Sequence, residues 1–341
     1  MEKRNDGLTI SVVLCTYNGE KYIEEQLHSI LSQKRPVDEI IILDDGSTDH
    51  TIDIAKKVLL SCKIPYQIIE NQKNLGASKN FEKGIRLAKG EWIFTCDQDD
   101  VWFEQKTNDF VKAFARKTDC VLTFSDAVIT DAELNVIQES MWKASGFGAE
   151  KQRWIEQGQY YKVLFSDNMV TGAAMAVKRE FAISCPLAPE GTLHDYWLAL
   201  CAPAYGSIIM LKKPELYYRQ HGKNVMGAPV KGITGKIKRW IHTIQILPND
   251  REKRAKRAKA LNMFYSSFQG KNPEKLLQRQ IDDWYEFSVR RESLKDKGKL
   301  SGIIQILADA RQGMYQKYVD KKGIVVQDIL SLFLKCKEVG R

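Results

Sequence analysis

The 341-residue sequence has no CxxC pair, no GxGxxG or GxxxxGK[ST] turn, no internal repeat and no low-complexity tract. It also lacks any apolar run near the ~18 to 20 residues that a membrane span needs. Each absence removes a class. Seven cysteines (Cys15, Cys62, Cys96, Cys120, Cys185, Cys201, Cys336) are an odd count, and four sit in or beside apolar runs. They read as reduced, buried thiols of a cytoplasmic protein. The missing glycine turns exclude a dinucleotide-binding dehydrogenase and a P-loop enzyme, and they disfavour a nucleotidyltransferase. Residues 1–18 combine charges with a short apolar run that ends in a polar turn, which fits neither a signal nor a transit peptide. The expected location is the cytoplasm, either free or on the cytoplasmic face of the cell membrane.

A chain of this length can bury a full core, as one large domain with an appendage or as two mid-sized domains. Its formal charge of +9 is concentrated: residues 231–260 hold ten Lys/Arg against two Asp/Glu. Such a block suits a phosphate-bearing partner, which could be anionic lipid, a lipid-pyrophosphate carrier or nucleic acid, or it is a solvated helix face.

Two periods alternate over the first hundred residues. Residues 9–15 (TISVVLC), 39–43 (EIIIL), 66–70 and 92–96 (WIFTC) read as short buried strands. Between them three sets recur at helical spacing: Ile23, Leu27, Ile30 and Leu31; Ile52, Ala55, Leu59 and Cys62; Phe81, Ile85 and Ala88. Ser47 or Thr48 is the expected N-cap of the second helix, and Gly90 the C-cap of the third. This alternation implies right-handed crossovers and an α/β fold with a mainly parallel sheet flanked by helices. Further strands are expected at 120–125, within 166–178, at 207–211 and at 215–218. From about Ala228 the chain reads as helical and basic, with Ile233, Ile237, Trp240, Ile241, Ile244 and Leu247 in one stripe. The expected division is a domain over 1–228 and a helical extension over 229–341.

Ligands of open parallel sheets bind outside the carboxyl ends of the strands. Here those ends carry Thr16-Tyr17-Asn18, Asp44-Asp45-Gly46-Ser47 and Asp97-Gln98-Asp99-Asp100. So many carboxylates in one crevice repel one another unless a cation lies among them. Asp97 and Asp99, two apart after a strand, suit a divalent metal with open positions for phosphate oxygens. Alternatively they are turn residues of Asx type. The string DQDDV also matches DxDx[TV] of aspartyl phosphotransferases, but there the motif closes the first core strand, and here three strands precede it.

At this point the sequence resembles the family-two glycosyltransferases, which have the GT-A fold. The resemblance runs from about Ile10 to Gly227 through SVVLCTYNGEKYIEEQLHSILSQ, EIIILDDGSTDHT, NLGASKNFEKGIRLAKGEWIFTCDQDDVW, TGAAMAVKRE, HDYWLAL and YYRQHGKNVMG. DQDDVW and RQHGKNVMG look most like bacterial rhamnosyltransferases of surface-polysaccharide assembly. The resemblance implies an inverting transfer from a nucleotide-sugar, dTDP-rhamnose or a UDP-sugar, to a glycan or lipid-linked glycan, with Mn2+ or Mg2+ as cofactor. It implies that Thr16, Tyr17, Asn18 and Asp45 hold base and ribose, with Asn74 and Lys79 in the same pocket. Asp97 and Asp99 would meet the metal at the pyrophosphate, and His221 would be its third ligand. Arg219 and Asn224 would contact the diphosphate from a closing loop. Asp195 matches the position of the base that takes the acceptor proton, with His194 flanking it, or Asp195 is a plain helix cap. The remaining alternatives are a metal-dependent aspartyl phosphotransferase and a catalytically silent glycan-binding protein.

The basic helix over 231–268 can lie on an anionic membrane surface, or it packs on the catalytic domain. No aromatic-basic sheet motif or helix-turn-helix accompanies the charge, so nucleic acid is not an expected partner.

Overall fold

The computed structural model describes residues 7–221, 233–268, 275–319 and 323–333, without the side chains of 233–246 and 275–276. The chain divides into two compact units. One comprises Met1–Tyr160, Asn168–Ala188 and Leu193–Val225; the other comprises Tyr161–Asp167, Pro189–Thr192 and Met226–Arg341.

The first unit opens with β1 (Ile10–Thr16), α1 (Ile23–Leu31), β2 (Glu39–Asp44), α2 (Thr51–Leu59), β3 (Tyr66–Glu70), α3 (Ala77–Leu87) and β4 (Trp92–Asp97). β5 (Val101–Trp102), α4 (Lys106–Arg116), β6 (Cys120–Thr130), β7 (Val136–Gln138), α5 (Met141–Ser145) and α6 (Ala149–Glu156) follow. After α7 (Tyr161–Leu164), which belongs to the second unit, come β8 (Met175–Lys178), α8 (Arg179–Ser184), α9 (His194–Tyr205) and β9 (Ser207–Arg219). The strands form one sheet in the order β3-β2-β1-β4-β8-β6-β9-β5, with β7 on β6. β3, β2, β1 and β4 are parallel, β8 runs antiparallel to both β4 and β6, and β9 is parallel to β6.

The four expected strands are present: β1, β2 and β4 are buried on both faces, which an apolar, β-branched run satisfies, whereas β3 is an edge strand whose residues are exposed or half-buried. Side chains alternate: Val12, Leu14, Ile40, Ile42 and Phe94 join the cluster that includes Ile23, Leu27 and Ile30 of α1. On the other face Gly84 of α3 sits so close that a Cβ there would meet Val13 Cγ1 at 2.3 Å. The two strands expected at 207–211 and 215–218 are one, β9. It passes Pro214 because its register against β6 shifts there, and proline cannot donate to the ladder.

Two expected caps differ. α2 begins after His50 with no side-chain cap, because the Ser47 hydroxyl is taken by Asp44. α3 ends at Ala88, not Gly90. Gly90 is required for a different reason: a Cβ there would lie 2.5 Å from the Ser11 nitrogen and 2.8 Å from the Ile10 carbonyl carbon, both main-chain atoms. Gly90→Ala is therefore expected to destabilise the chain by about 1–3 kcal/mol, read as a lowered midpoint in urea. An unchanged midpoint would show that β1 can shift freely.

In the second unit α10 (Ile233–Ser267), α11 (Lys275–Glu292), α12 (Lys299–Arg311), α13 (Met314–Tyr318) and α14 (Ile324–Ser331) enclose Leu261, Tyr265, Ile281, Trp284, Phe287 and Tyr318. Within the basic block, Arg251 and Arg257 are buried and Arg254 is half-buried, whereas Lys253, Lys256 and Lys259 are exposed. The structure divides the 251–259 cluster: the buried Asp328 draws Arg251 inward, Arg254 pairs with Asp250, and the lysines stay exposed. No described helix is long and apolar enough to cross a membrane. The six described cysteines are free thiols, and Cys336 lies outside the described residues.

Candidate active site

Parallel register lines up the strand ends. Thr16 pairs with Asp44 across β1 and β2, and Cys15 pairs with Asp97 across β1 and β4, so three polar tips open on one side. Side chains then lock the tips together. The Thr16 hydroxyl donates to Asp44 at 2.8 Å, and Asp44 also accepts the Ser47 hydroxyl and the Gly46 and Ser47 N–H groups. Asn18, at φ +49°, accepts the Thr48 N–H at 2.8 Å while its own N–H reaches the Ser47 hydroxyl. Gln98 holds the Tyr17 backbone from both sides, accepting its N–H at 2.9 Å and donating to its carbonyl at 3.0 Å.

Asp45 organises the next wall. Its carboxylate accepts the Leu75 and Gly76 N–H groups at 2.7 and 2.8 Å and the Asn71 amide at 2.9 Å. The Asn74 amide donates to the Asp45 carbonyl. The result is a cleft of about 550 Å³ lined by Thr16, Tyr17, Asn18, Asp45, Asn74, Asp97, Asp99 and His221, together with Phe81, Gln98 and Tyr218. Lys79 is exposed and does not line it: Ala77, Asn80 and Phe81 share the cleft-facing side of α3, and position 79 falls off that side.

Arg219 is also absent from the lining. Its guanidinium donates to the Asp99 carbonyl at 2.8 Å and the Ala132 carbonyl at 2.5 Å, and it pairs with Glu25. It clamps the tip of β4 where the motif implied a hand on the diphosphate. Asn224 lies outside the described residues.

The acids affect one another strongly. Burial, then the charges of Asp99 and Asp195, push Asp97 up to about 7, with Lys106 opposing them. Asp100 accepts the Arg219 N–H at 3.1 Å with one oxygen; among the described residues the other is enclosed without a partner. Burial and the neighbouring acids hold its carboxyl well above the ordinary range. Asp99 meets His221 Nε2 at 2.6 Å, and the imidazole stacks on Tyr22 at 4.7 Å. Lys106, unremarked in the sequence, is fully buried beneath this cluster. It donates to the Ala173 carbonyl at 2.6 Å and lies 4.0 Å from the Trp102 ring, and burial lowers it to about 8. Its only sequence signal is its place at the start of α4, soon after the acidic tip, which surface lysines share.

Among the described residues no three His, Cys, Asp or Glu side chains are close enough to form a complete metal cage. The donor set still fits a divalent cation: Asp99 and His221 touch, and Asp97, its carboxyl raised by burial and the neighbouring acids, lines the same cleft. Such ions are commonly bound by one or two protein ligands plus phosphate oxygens.

Asp195 stands in the first turn of α9 and is 7% exposed. One oxygen accepts the Gly172 N–H at 2.9 Å; the other accepts the Tyr196 N–H at 2.6 Å and the Asn168 amide at 3.1 Å. The 3-10 turn Gly172–Ala174, from the TGAA string, delivers that N–H, and Thr95 of β4 ties it down through the Gly172 carbonyl at 2.5 Å. Burial raises Asp195 to about 6 despite these bonds. His194 does not orient it. Its ring stacks on Phe81 at 4.1 Å, both nitrogens are enclosed without a hydrogen bond among the described residues, and burial lowers it to about 3. Asn168 was not legible as a site residue, since nothing in its neighbourhood marks it as a partner of a carboxylate 27 positions away.

Known proteins resemble this chain in sequence or in fold. The RfbG dTDP-rhamnosyl transferase of Shigella flexneri is 30% identical over 230 residues, spanning 64% of this chain and 74% of that protein. The structure of S. aureus TarS 1-349 in complex with UDP-GlcNAc superposes with a TM-score of 0.58 at 17% identity, over 95% of this chain and 89% of that one. The mannosyltransferase PcManGT from Pyrobaculum calidifontis, solved with GDP-Man and Mn2+, gives 0.51 at 16% identity, over 96% and 87%. The fold is the GT-A type that the motif order implied. The family model described as Glycosyl transferase family 2 matches residues 11–182, half of the chain. That segment runs from the first strand past the turn that holds Asp195, and the chain belongs to glycosyl transferase family 2.

Proposed function

We propose that the chain transfers a sugar, with inversion at the anomeric carbon, from a nucleotide-diphosphate donor to a hydroxyl of a glycan or lipid-linked glycan during cell-surface polysaccharide synthesis. Rhamnose carried on dTDP is the favoured donor, by likeness to RfbG and by the DQDDVW and RQHGKNVMG strings; a UDP-sugar is the alternative. In this reading Thr16, Tyr17, Asn18 and Asp45, with Asn74, hold the base and ribose in the strand-tip cleft. Asp99 and His221, with Asp97 beside them, hold a divalent cation, Mn2+ or Mg2+, whose chemistry there is to neutralise the donor's diphosphate.

Asp195 takes the proton of the acceptor hydroxyl as that oxygen bonds to the anomeric carbon. The bond from that carbon to the diphosphate breaks, and its electron pair leaves on the diphosphate. Gly172 and Asn168 fix the carboxylate so that no reorientation is needed at that moment. A lipid-linked acceptor would place the chain at the cytoplasmic face of the membrane, where the exposed Lys253, Lys256 and Lys259 meet anionic headgroups.

The observation that carries the reading is the state of Asp195. It is buried and held by neutral donors, forms no ion pair among the described residues, and is raised to about 6. A carboxylate so placed accepts protons efficiently near neutral pH. The working form is deprotonated, so kcat/KM is expected to rise about tenfold per pH unit below ~6 and to level off above it. The test is nucleotide diphosphate release from dTDP-rhamnose and a panel of UDP-sugars with Mn2+, followed across pH. A donor that binds without releasing diphosphate would favour a silent glycan-binding protein. A profile flat between pH 5 and 8 would remove Asp195 as the base.

A further inference from the structure

Within the helical unit a small cavity is lined by Arg251 and Arg254 of α10, Trp284, Ser288 and Arg291 of α11, and Tyr318 of α13. Its volume of about 10 Å³ is that of one water-sized sphere. Three guanidinium groups meet there with two carboxylates in hydrogen-bond reach. Asp328, fully buried, accepts from Arg251 at 2.8 Å, from Arg291 at 2.7 Å and from the Tyr315 hydroxyl at 2.7 Å. Asp250 accepts Arg254 Nε at 3.0 Å, and Arg254 Nη1 donates to the Ser166 carbonyl at 3.1 Å. Among the described residues, three guanidinium groups against these two carboxylates leave one positive charge over.

The donors are likewise in excess. Among the described residues no hydrogen bond uses Arg251 Nη1, Arg254 Nη2, Arg291 Nη1 or the Ser288 hydroxyl. Among the described residues none of these atoms is fully enclosed, and all four side chains line the pit. A structural ion pair would match its charges, whereas here arginine forks converge with spare N–H groups and spare charge. Those forks suit phosphate oxygens.

We propose that this pit is an oxyanion site of the phosphate type, in which one non-bridging oxygen enters between the three guanidinium groups and Ser288 and the rest of the ligand stays at the mouth. The size of the pit sets that limit: it admits one oxygen and no ring. The aromatic walls of Trp284 and Tyr318 lower the local dielectric and strengthen each charged hydrogen bond. The proposal stands independently of the sugar-transfer reading. Two sources carry the same chemistry: a soluble phosphate or phosphomonoester, and the headgroup phosphate of a lipid.

The test titrates inorganic phosphate into the full chain at constant ionic strength, by calorimetry and thermal unfolding, for wild type, Arg254→Gln and Ser288→Ala. Arg254 is chosen because it makes no bond to Asp328 and its removal leaves the Arg251–Asp328–Arg291 pairing in place. The expected result is one phosphate bound at this site, with affinity falling roughly tenfold or more in Arg254→Gln and less in Ser288→Ala. Any binding that survives undiminished in Arg254→Gln belongs to another part of the chain. Equal affinity in all three proteins, or no binding to any, overturns the proposal. Should Arg254→Gln fail to fold, Ser288→Ala alone decides, and a weakened affinity there supports the site.

A second arm adds vesicles of phosphatidylglycerol mixed with phosphatidylcholine. Co-sedimentation that phosphate competes away, and that the substitution weakens, supports a lipid source. Site-specific phosphate binding that the vesicles leave untouched supports a soluble one.

Discussion

Asp195→Asn is expected to lower kcat by about 10²- to 10⁴-fold, the usual contribution of a positioned base, while leaving donor affinity near wild type. The substitution keeps the size of the side chain and removes only its ability to take a proton. Asp195 does not line the strand-tip cleft, so the residues proposed to hold the nucleotide are untouched. The amide does face the Gly172 N–H or the Tyr196 N–H with one N–H group of its own, replacing an acceptor with a donor. A thermal unfolding scan controls for that local cost. Calorimetry with the donor, paired with diphosphate release in the presence of acceptor, separates the two effects. Turnover equal to wild type would remove Asp195 from the chemistry.

Asp99→Asn should act on the other half of the reaction. It neutralises the carboxylate that touches His221 and whose charge helps to raise Asp97. If those residues hold a cation against the diphosphate, donor affinity in Mn2+ falls by more than the ~10- to 100-fold that losing a mere outer-shell partner costs. Affinity measured in a chelator should hardly change. A variant that binds the donor in Mn2+ as tightly as wild type would show that the cation, if present, is held elsewhere. The two substitutions therefore separate: one spares binding and loses turnover, the other loses metal-dependent binding.

β1, β2 and β4 were legible because a strand buried on both faces must be apolar along most of its length, and runs such as EIIIL have few other uses; β3, half-exposed at the edge of the sheet, was legible from its place between two helical sets. The polar tips were legible because each such run stops at Thr16, Asp44 or Asp97, and register then sets them side by side. Motif order singled out Asp195, which the fold sets in the first turn of α9. Single side chains were less legible, because their direction depends on what the fold brings beside them. Lys79 and Arg219 fit a phosphate role by charge and neighbourhood, yet helix rotation leaves one exposed outside the cleft, and Asp99, Ala132 and Glu25 hold the other.

By itself the sequence determined the alternation of strands and helices, the acidic strand ends and the family, since all of these lie in local periodicity and short strings. Only the tertiary structure decided which charges are neutralised and by what. Lys106 beneath the acids, the Gly172 N–H on Asp195, and the turn of Arg251 and Arg291 toward Asp328 all join residues far apart in the chain. A charge reads the same in sequence whether it faces water or a buried partner. Desolvation and pairing, which depend on what the fold brings within a few ångströms, set its chemistry.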